Sequence, residues 1–467
     1  MILIDRTSDR TLADQIVDQL AQRIKAGKLP EGSRLPSVRQ LASSNEVSQF
    51  TVVTAYERLV AKGLVESKAG KGNFVARQHA ILKEPGIEVA APSLMSAEGF
   101  AHQVLATEEP ILPASSGFLP ADWFEGVINP AAVKRLLKPG AEGTLAAPVQ
   151  GSVFLREQLS IRLSQWGVNV PPSQFLVTHG ATHAFEIIAR CILPPNAKIL
   201  IDDPGYFVVR RQLEQLGHRC IPVPRLVDGP DLDALQQLAI EHQPAAMFTQ
   251  TLLHNPSGGN TSLSKSHKLL SLANQFDFYV IEDNVYGDLA NHTSVLLAQL
   301  DEFQRVFHVG SFTKVLNPGM RVGYVVPPLR FLPDLQMQKM LTVLTGSALN
   351  EALVAECLVS GRFRKHLQQL KSRLDRARVR ALGALQQTPL TVVSGQADGM
   401  FLWVKLPEGE SSDAWAKQAQ QAGILLASGT LFSMTNSGDG YIRLNTAYAG
   451  DYQLVKFFQQ MMKAKKS

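Results

Sequence analysis

The sequence predicts an α/β body with a mostly parallel sheet, preceded by a small winged helix-turn-helix module. From residue 113 onward, short apolar runs lie between helical segments, which is typical of strands and helices alternating around a parallel sheet. Near the start of the chain, a helical apolar period is followed by a capped helix and a basic hairpin. The 467 residues are too many for one hydrophobic core, so two or three domains are expected.

The composition is that of an ordinary globular protein, with 45% hydrophobic and 19% charged residues. No apolar stretch approaches the ~18 residues of a membrane span, and the charged N-terminus does not resemble a signal peptide. We therefore expect a cytoplasmic protein without membrane association. The three cysteines are scattered without metal spacing, which fits reduced thiols and predicts no metal site.

The charge is concentrated at the front of the chain. Residues 1–80 contain 12 Lys and Arg against 8 Asp and Glu, so +4 of the chain's net +5 lies there. A basic front end on a nearly neutral body indicates a polyanionic partner for the front end alone.

Residues 1–77 form the predicted DNA-binding module. Leu12, Ile16, Leu20 and Ile24 recur every four residues, so they line one face of a first helix. This helix is expected to end before the glycine that follows the period.

The second and third helices are marked by their start signals. Pro36 is expected in the first turn of the second helix, where its missing N–H is no loss. Ser48 is expected to cap the third helix, which Gly63 then ends. Residues 64–75 are predicted to form two short strands about the basic tip 68–72, a hairpin wing.

This order is that of a winged helix-turn-helix, in which the start of the second helix of the pair enters the major groove. Gln49 and its neighbours, Phe50 among them, would face base edges, while basic side chains and the wing would reach phosphates and the minor groove. The predicted DNA-contacting residues are Arg34, Ser37, Arg39, Ser48, Gln49, Thr51, Thr54, Lys71 and Gly72. Periodicity alone equally allows a three-helix protein-interaction module with solvated charges.

The motifs of this front end resemble the GntR-type winged helix over residues 11–76. They are Leu-Pro-Ser-x-Arg-x-Leu-Ala at 35–42, Val-Ser at 47–48 and Gly-x-Gly-x-Phe-Val at 70–75. The resemblance implies binding to double-stranded operator DNA. One position departs, because the family often has Arg after the capping Ser, where this chain has Gln49. Gln pairs with adenine and Arg with guanine, so an altered operator is expected.

Residues 78–112 are predicted to be a linker. Pro85, Gly86, Pro92 and Pro110 interrupt a polar stretch without apolar periodicity. Such a composition favours an extended tether with one short helix.

Residues 113–467 form the predicted body. Its apolar runs are 175–177, 198–201, 246–249, 278–281 and 306–309. Gly180, Asp203, Asn255, Asp283 and Ser311 each follow one of these runs within a few residues. Ligands in parallel sheets gather at the carboxyl ends of strands, so these residues are expected to meet there.

The residues at the strand ends meet the needs of pyridoxal 5′-phosphate. Lys314 supplies an amine for an imine, and Asp283 supplies a carboxylate for the ring nitrogen. Tyr206 offers an aromatic face, Asn255 and Tyr286 offer donors to the ring oxygen, and a helix start with a cation suits the phosphate. The predicted cofactor-binding residues are Gly180, Ala181, Thr182, Tyr206, Asn255, Asp283, Tyr286, Ser311, Lys314 and Arg321.

Each of these residues alone has a simpler interpretation, since a lone lysine is usually solvated and Asp283 could cap a helix. Their order, however, resembles the fold-type I aminotransferases over roughly residues 115–450. The strongest motifs are His-Asn-Pro-Ser-Gly at 254–258, Glu-Asp-x-x-Tyr at 282–286 and Ser-x-x-Lys at 311–314. By that resemblance, Arg443 grips the α-carboxylate of a substrate or effector.

Together, the two resemblances identify the chain as a member of the MocR subgroup of GntR-type transcription regulators. The subgroup implies a homodimer, often head to tail, whose body senses an amino acid, amine or B6 vitamer through an internal aldimine at Lys314. One departure concerns catalysis. Aminotransferases commonly have a tyrosine shortly before the glycine equivalent to Gly151, reaching the neighbouring subunit's phosphate, and this chain has no tyrosine between Tyr56 and Tyr206. Two alternatives stay open: a working aminotransferase and a cofactor-free regulator with an inactive pocket.

Overall fold

The computed structural model describes residues 2, 4–6, 8, 10–76, 96–105, 111–291, 295–394 and 398–463. The chain divides into two compact units, Met1–Ala90 and Ala91–Ser467, which are considered separately. Most of the predicted linker, residues 78–95 and 106–110, lies outside the described residues. Among the described helices, none combines the length and apolar character needed to cross a membrane.

The N-terminal unit consists of three helices and a hairpin. Its elements are α1 (Leu12–Lys25), α2 (Val38–Ser44), α3 (Gln49–Ala61), β1 (Val65–Lys68) and β2 (Gly72–Val75). The two strands pair antiparallel, with Val65 opposite Val75. Ile16 and Leu20 of α1 are buried in one cluster with Val52 of α3. The apolar period therefore packs α1 on α3, and the predicted helices and wing are confirmed.

The observed start of α3 agrees with the sequence prediction, whereas the observed start of α2 differs from it. The Ser48 hydroxyl accepts the N–H three residues on at 3.0 Å, so it caps α3 as predicted. Helix α2 begins later than predicted: the Ser37 hydroxyl caps it at 3.2 Å, and Pro36 lies before the cap rather than in the first turn. The physical reason is that the Ser37 side chain can accept an orphan helix N–H. Pro36 has another role, since its carbonyl accepts from Tyr56 Oη at 2.8 Å and ties α2 to α3.

The second unit contains two sheets. Its strands are β3 (Leu176–Thr178), β4 (Lys198–Asp203), β5 (Arg219–Leu226), β6 (Gly229–Pro230), β7 (Ala246–Thr249), β8 (Tyr279–Asp283), β9 (Val306–Ser311), β10 (Gly323–Val326), β11 (Thr391–Val392), β12 (Phe401–Lys405), β13 (Ala427–Ser428) and β14 (Tyr441–Asn445). Its α-helices are α4 (Ala97–Leu105), α5 (Pro130–Leu136), α6 (Val153–Ser164), α7 (Ala181–Ile192), α8 (Phe207–Gln215), α9 (Leu232–His242), α10 (Leu263–Gln275), α11 (Leu297–Asp301), α12 (Leu332–Val343), α13 (Ala348–Val359), α14 (Arg362–Leu385), α15 (Ser412–Gln421) and α16 (Tyr452–Lys463).

The larger sheet has eight strands in the order β3-β10-β9-β8-β7-β4-β5-β6. The pairs from β9 through β8, β7 and β4 to β5 are parallel, whereas β10 is antiparallel to both of its neighbours. Within β4, Ile199 and Ile201 join one apolar cluster and Leu200 joins another. Because alternate strand residues face opposite sides, both faces of this sheet are covered. The predicted mostly parallel sheet is confirmed.

The carboxyl ends of the parallel strands carry the polar residues that the sequence singled out. Asp203, Asp283 and Ser311 are the last residues of β4, β8 and β9. The smaller sheet, in the order β11-β12-β14-β13, is antiparallel and carries Arg443 on β14. The apolar runs did not predict this second sheet.

The described part of the segment 78–112 contacts the body. Phe100 of α4 is 2% exposed and meets the ring of Phe207 edge-on, with the centroids 6.1 Å apart. Further along, Leu112 N donates to Gly423 O at 2.9 Å. One short helix of this segment, expected from its sequence, is therefore held on the body by apolar packing.

Candidate cofactor site and DNA interface

Lys314 lies just beyond β9, in the loop that leaves the sheet edge. Its Nζ donates to Gly117 O at 2.9 Å and lies 4.0 Å from the centroid of the Phe118 ring. Burial, together with the positive charges of Arg443 and Arg321, lowers the pKa of Lys314 to about 7. A substantial fraction of this amine is therefore neutral near pH 7, as a nucleophile requires.

Asp283 is the carboxylate of the site. Its Oδ2 accepts from Gln250 Nε2 at 2.9 Å, and its Oδ1 accepts from Val285 N at 3.2 Å. Burial raises the pKa of Asp283 to about 7, so a cationic partner such as a protonated ring nitrogen would favour its ionised form. Gln250 also accepts from Asn255 N at 2.7 Å. Sequence reasoning missed this bridging residue, although its place directly after β7 was an available signal.

Asn255, Tyr286 and Tyr206 lie around this carboxylate. Tyr286 is 3% exposed and hydrogen-bonds to the side chain of Asn255. Tyr206 and Asp283 line one cavity of about 40 Å³. Burial raises the pKa of Tyr286, and it raises the pKa of Tyr206 to about 12. Both phenols therefore stay protonated near neutral pH and can donate hydrogen bonds.

A small space beside Gly180, called here the phosphate cradle, lies where the phosphate of the cofactor was predicted to bind. Gly180 has φ +79°, and a Cβ placed on it would lie 3.1 Å from Arg321 Nη2 and 3.5 Å from Thr313 Oγ1. The Thr313 hydroxyl in turn accepts from Ser311 Oγ at 3.1 Å. The missing side chain thus leaves a small space bounded by a guanidinium and two hydroxyls, which suits an anionic group.

The start of α7 completes the cradle. Ala181 and Thr182 are its first residues, and N–H groups in a first helical turn lack partners within the helix. Arg321 Nη2 donates to His179 O at 3.3 Å, directly before this turn. The Thr182 side chain itself is exposed. The structure therefore brings all of the predicted phosphate-binding residues to one place.

Arg443 is buried in the same pocket. Its guanidinium carbon lies 4.4 Å from the Phe401 ring centroid and 4.8 Å from that of Phe432. Its Nη1 donates to Asn255 Oδ1 at 2.8 Å and its Nη2 to Ser115 O at 2.5 Å. Burial lowers the pKa of Arg443 to about 10, so it remains a cation near pH 7. Its remaining N–H groups can meet a carboxylate.

The donor set fits pyridoxal phosphate. The cations of Arg321 and Arg443 and the carboxylate of Asp283 all act electrostatically on Lys314. Such a pocket favours an anionic ligand. Lys314 would anchor the cofactor aldehyde, Asp283 would face the ring nitrogen, and the cradle at Gly180 would take the phosphate. The cofactor would supply an electron-withdrawing ring to an amine bound to it.

The start of α3 forms the predicted base-reading surface. Ser48 and Gln49 are exposed, and Thr51 and Thr54 are half-buried on the same helix. Phe50 is 80% exposed, which is unusual for a ring of this size. An exposed ring beside Gln49 is suited to contact a thymine methyl group.

The predicted backbone contacts surround this surface within the same unit. Arg39 of α2 and Lys71 at the wing tip are exposed. Arg34 pairs through its backbone with Phe74 of β2, and a Cβ on Gly72 would lie 3.4 Å from Arg34 Nε. Arg34 therefore belongs to the wing rather than to the helix pair. Ser37 is occupied in capping α2.

Comparison with known proteins defines the class: a winged-helix regulator whose body has an aminotransferase fold. Residues 115–456 match the family "Aminotransferase class I and II", and residues 12–75 match "Bacterial regulatory proteins, gntR family". The chain belongs to the class I and II aminotransferase family over its body and carries a gntR-family module in front, the architecture of the MocR-like regulators.

Several relatives share this architecture. The chain is 28% identical over 458 residues to the HTH-type transcriptional regulator YdfD of Bacillus subtilis, covering 95% of this chain and 94% of the relative. It is 25% identical to the probable rhizopine catabolism regulatory protein MocR of Rhizobium meliloti, covering 91% and 87%.

Two further matches are enzymes. A 2-aminoadipate transaminase of Thermus thermophilus is 30% identical, covering 73% of this chain and 87% of the enzyme. The structure of LysN, an alpha-aminoadipate aminotransferase of the same organism, superposes with a TM-score of 0.70 at 25% identity, covering 78% and 97%. That structure contains N-(5′-phosphopyridoxyl)-L-leucine. The family and this complex indicate pyridoxal phosphate as the cofactor of the body.

Proposed function

We propose that this chain is a pyridoxal-phosphate-dependent, DNA-binding transcriptional regulator of the MocR type, acting in the cytoplasm. Lys314 anchors the cofactor covalently, and an amino acid, an amine or a B6 vitamer changes that attachment. The observation that carries the proposal is a lysine whose Nζ lies 2.9 Å from Gly117 O, among the charged side chains of Asp283, Arg321 and Arg443, in a chain that begins with a winged helix.

Each side chain has a defined task in this proposal. Asp283 would hold a proton on the ring nitrogen, and Asn255 and Tyr286 would donate to the ring oxygen. Tyr206 would pack on the ring. The first-turn amides of α7, with Ser311 and Arg321, would hold the phosphate. Arg443 binds the carboxylate of an amino-acid effector, while an effector without a carboxylate lacks this contact and binds more weakly.

The regulator acts as a homodimer, with a head-to-tail arrangement of protomers as the subgroup implies. Helix α12 and the residue after it expose large apolar side chains, namely Met337, Met340, Leu341, Val343 and Leu344. Such a surface is suited to be covered by a second copy. Residues 1–77 bind the operator, 78–112 tether them, and 113–467 sense the effector. An effector changes DNA binding only if it binds two arrangements of the dimer with different affinity.

The decisive test combines two measurements on the full-length protein. Its absorbance spectrum and its retardation of its own upstream DNA are recorded together while amino acids, amines and B6 vitamers are added. We expect one compound to change the cofactor band and the DNA affinity over the same concentration range. A control duplex of scrambled sequence should show weaker binding. A cofactor band that responds while DNA binding stays constant for every compound would contradict the sensing role.

A second function, catalytic transamination, is favoured by the complete set of Lys314, Asp283, Arg321 and Arg443. It is tested by incubating the protein with amino acids and 2-oxoglutarate. Turnover on the order of 1 s⁻¹ or faster, without retardation of the upstream DNA, would favour an enzyme over a regulator. A cofactor-free regulator would instead show no visible absorption band and no hydride-trapped adduct at Lys314.

A further inference from the structure

A cavity of about 530 Å³ lies between α6 and α14, and its lining includes none of the proposed cofactor-binding residues. This volume is in the range of sites that bind small organic molecules. Helix α14 contributes Arg364, Leu367 and Lys371, and helix α6 contributes Ile161 and Arg162. Residues spaced by three, four and seven lie on one face of a helix, so the α14 wall is formed by one helix face.

The charges of the cavity do not cancel. Arg162 is paired with Asp288, and their side chains are only 13% and 15% exposed. The guanidinium of Arg162 also lies 4.7 Å from the centroid of the Phe363 ring. Because this pair is internally neutral, the cations on the opposite wall, Arg364 and Lys371, leave the cavity with an excess of positive charge.

The ammonium group of Lys371 has hydrogen-bond donors that can bind a ligand. Its Nζ donates to Ala290 O at 2.5 Å, which uses one of the three ammonium hydrogens. Burial lowers the pKa of Lys371, and the charges of Asp398 and Asp375 oppose this effect. Arg378 also interacts electrostatically with both of these carboxylates. Neither Asp375 nor Asp398 lines the cavity.

Apolar surface separates the two cations. Leu367 lies between them on α14, and Trp166 and Phe363 contribute aromatic faces. Along a helix, residues 364 and 371 are about 10 Å apart, which is longer than one carboxylate. We propose that this cavity binds an organic anion with an apolar or aromatic body, whose acidic group meets one of the two cations, Lys371 or Arg364, while its body lies along Leu367 towards the other.

The cavity adjoins the back of the cofactor site without sharing its ligands. Asp288, which lines the cavity, follows Tyr286 of the cofactor site by two residues. The backbone at Gly287, between them, packs so closely on Trp166 that a Cβ there would lie 2.8 Å from its ring. Arg162 and Trp166 also line a small space that includes Ser311. A ligand in the cavity therefore contacts residues that pack behind the cofactor pocket, and its binding does not require Lys314.

The test uses the full-length protein and 8-anilinonaphthalene-1-sulfonate, an aromatic anion that fluoresces in apolar surroundings. We expect saturable binding of one probe per chain. The double variant Arg364→Gln with Lys371→Gln should bind about tenfold more weakly, since it loses both cations. The matched control is Arg376→Gln, an exposed cation of the same helix that does not line the cavity, and it should bind as the parent does.

Two further measurements separate loss of the cavity's cations from unfolding and from loss of the cofactor site. Near-ultraviolet circular dichroism shows whether the double variant is folded; if it is not, Arg364→Gln alone is used, because Arg364 is exposed, and about threefold weaker binding is expected. Lys314→Ala should leave the probe affinity unchanged. The inference is overturned if binding to the parent does not saturate, if loss of the cations leaves the affinity unchanged, or if Lys314→Ala alone abolishes binding.

Discussion

The two units differ in the burial of the cations proposed to recognise DNA and the effector carboxylate. In the N-terminal unit, Arg39 and Lys71 are exposed, whereas in the body Arg443 is 2% exposed. Exposed cations are already solvated, so they act through long-range attraction that salt screens. Buried cations have lost hydration, so their protonation and their partners respond to the pocket. We therefore expect salt to govern DNA binding and pH to govern cofactor attachment.

The largest effect that separates the two units is expected from Lys314→Ala. Without the ε-amine, hydride reduction should add no cofactor mass to the peptide that contains position 314, and mass spectrometry measures this directly. The effector response should be lost as well, while basal DNA affinity should stay within about twofold, because Lys314 lies outside the winged helix. The matched control, Lys365→Ala, removes an exposed lysine of α14 and should retain the adduct. An effector response that survives Lys314→Ala would refute the sensing role of this residue.

The next effect tests the reading surface of the N-terminal unit. Gln49→Arg should move the preferred base opposite this position from adenine to guanine, a change of about 1–3 kcal/mol. Selection of bound duplexes from a randomised pool measures the preference. Gln40→Arg adds the same charge on α2 and should raise affinity without changing the preferred base. An unchanged preference in Gln49→Arg would remove Gln49 from direct base contact.

The secondary structure of the N-terminal unit was predictable because it depends on signals between residues that are close in sequence. Its helices follow from short-range signals, such as the four-residue period that buries Ile16 and Leu20 and the capping hydroxyl of Ser48. The misplaced Pro36 shows the limit of this reasoning. Proline tolerates several positions near a helix start, and the hydrogen bond from Tyr56, twenty residues away, helps to fix which one it takes.

The body was predictable in its motifs and not in its connections. Lys314, Asp283 and Asn255 were recognisable because each follows an apolar strand. The contact from Arg443 to Ser115, however, spans 328 residues of chain, and no local pattern reports it. Gln250 was missed for a related reason, since it joins Asp283 to Asn255 only once the loop after β7 meets the end of β8. The second sheet was missed because β11 and β13 have only two residues each, and because the buried polar residues Arg443 and Asn445 interrupt the apolar run of β14.

An intermediate effect concerns the pH dependence of the buried amine. With a pKa of about 7, the neutral fraction of Lys314 is about tenfold smaller at pH 6 than above pH 8, so cofactor attachment to the apoprotein should slow by that factor. The rate is measured by absorbance after mixing. Arg443→Gln removes a cation that lowers this pKa and should move the midpoint to higher pH. Asp283→Asn removes a carboxylate that raises it and should move the midpoint to lower pH. A rate still rising towards pH 10 in the parent would contradict the lowered pKa.

The smallest effect tests the exposed cations of the N-terminal unit. Arg39→Ala should weaken DNA binding several-fold and should reduce the slope of log affinity against log salt by about 0.9, the contribution of one phosphate contact. Fluorescence anisotropy at a series of salt concentrations measures this slope. Arg376→Ala, on α14 of the body, is a control of equal charge change and should leave the slope unaltered. Loss of a phosphate contact changes the salt dependence of binding, because fewer counterions are released, whereas loss of a packing contact does not. An affinity loss without a change in slope would therefore assign Arg39 a structural role. A reduced slope, with cofactor attachment unchanged, would show that this salt-dependent contact belongs to the N-terminal unit and does not involve the cofactor site.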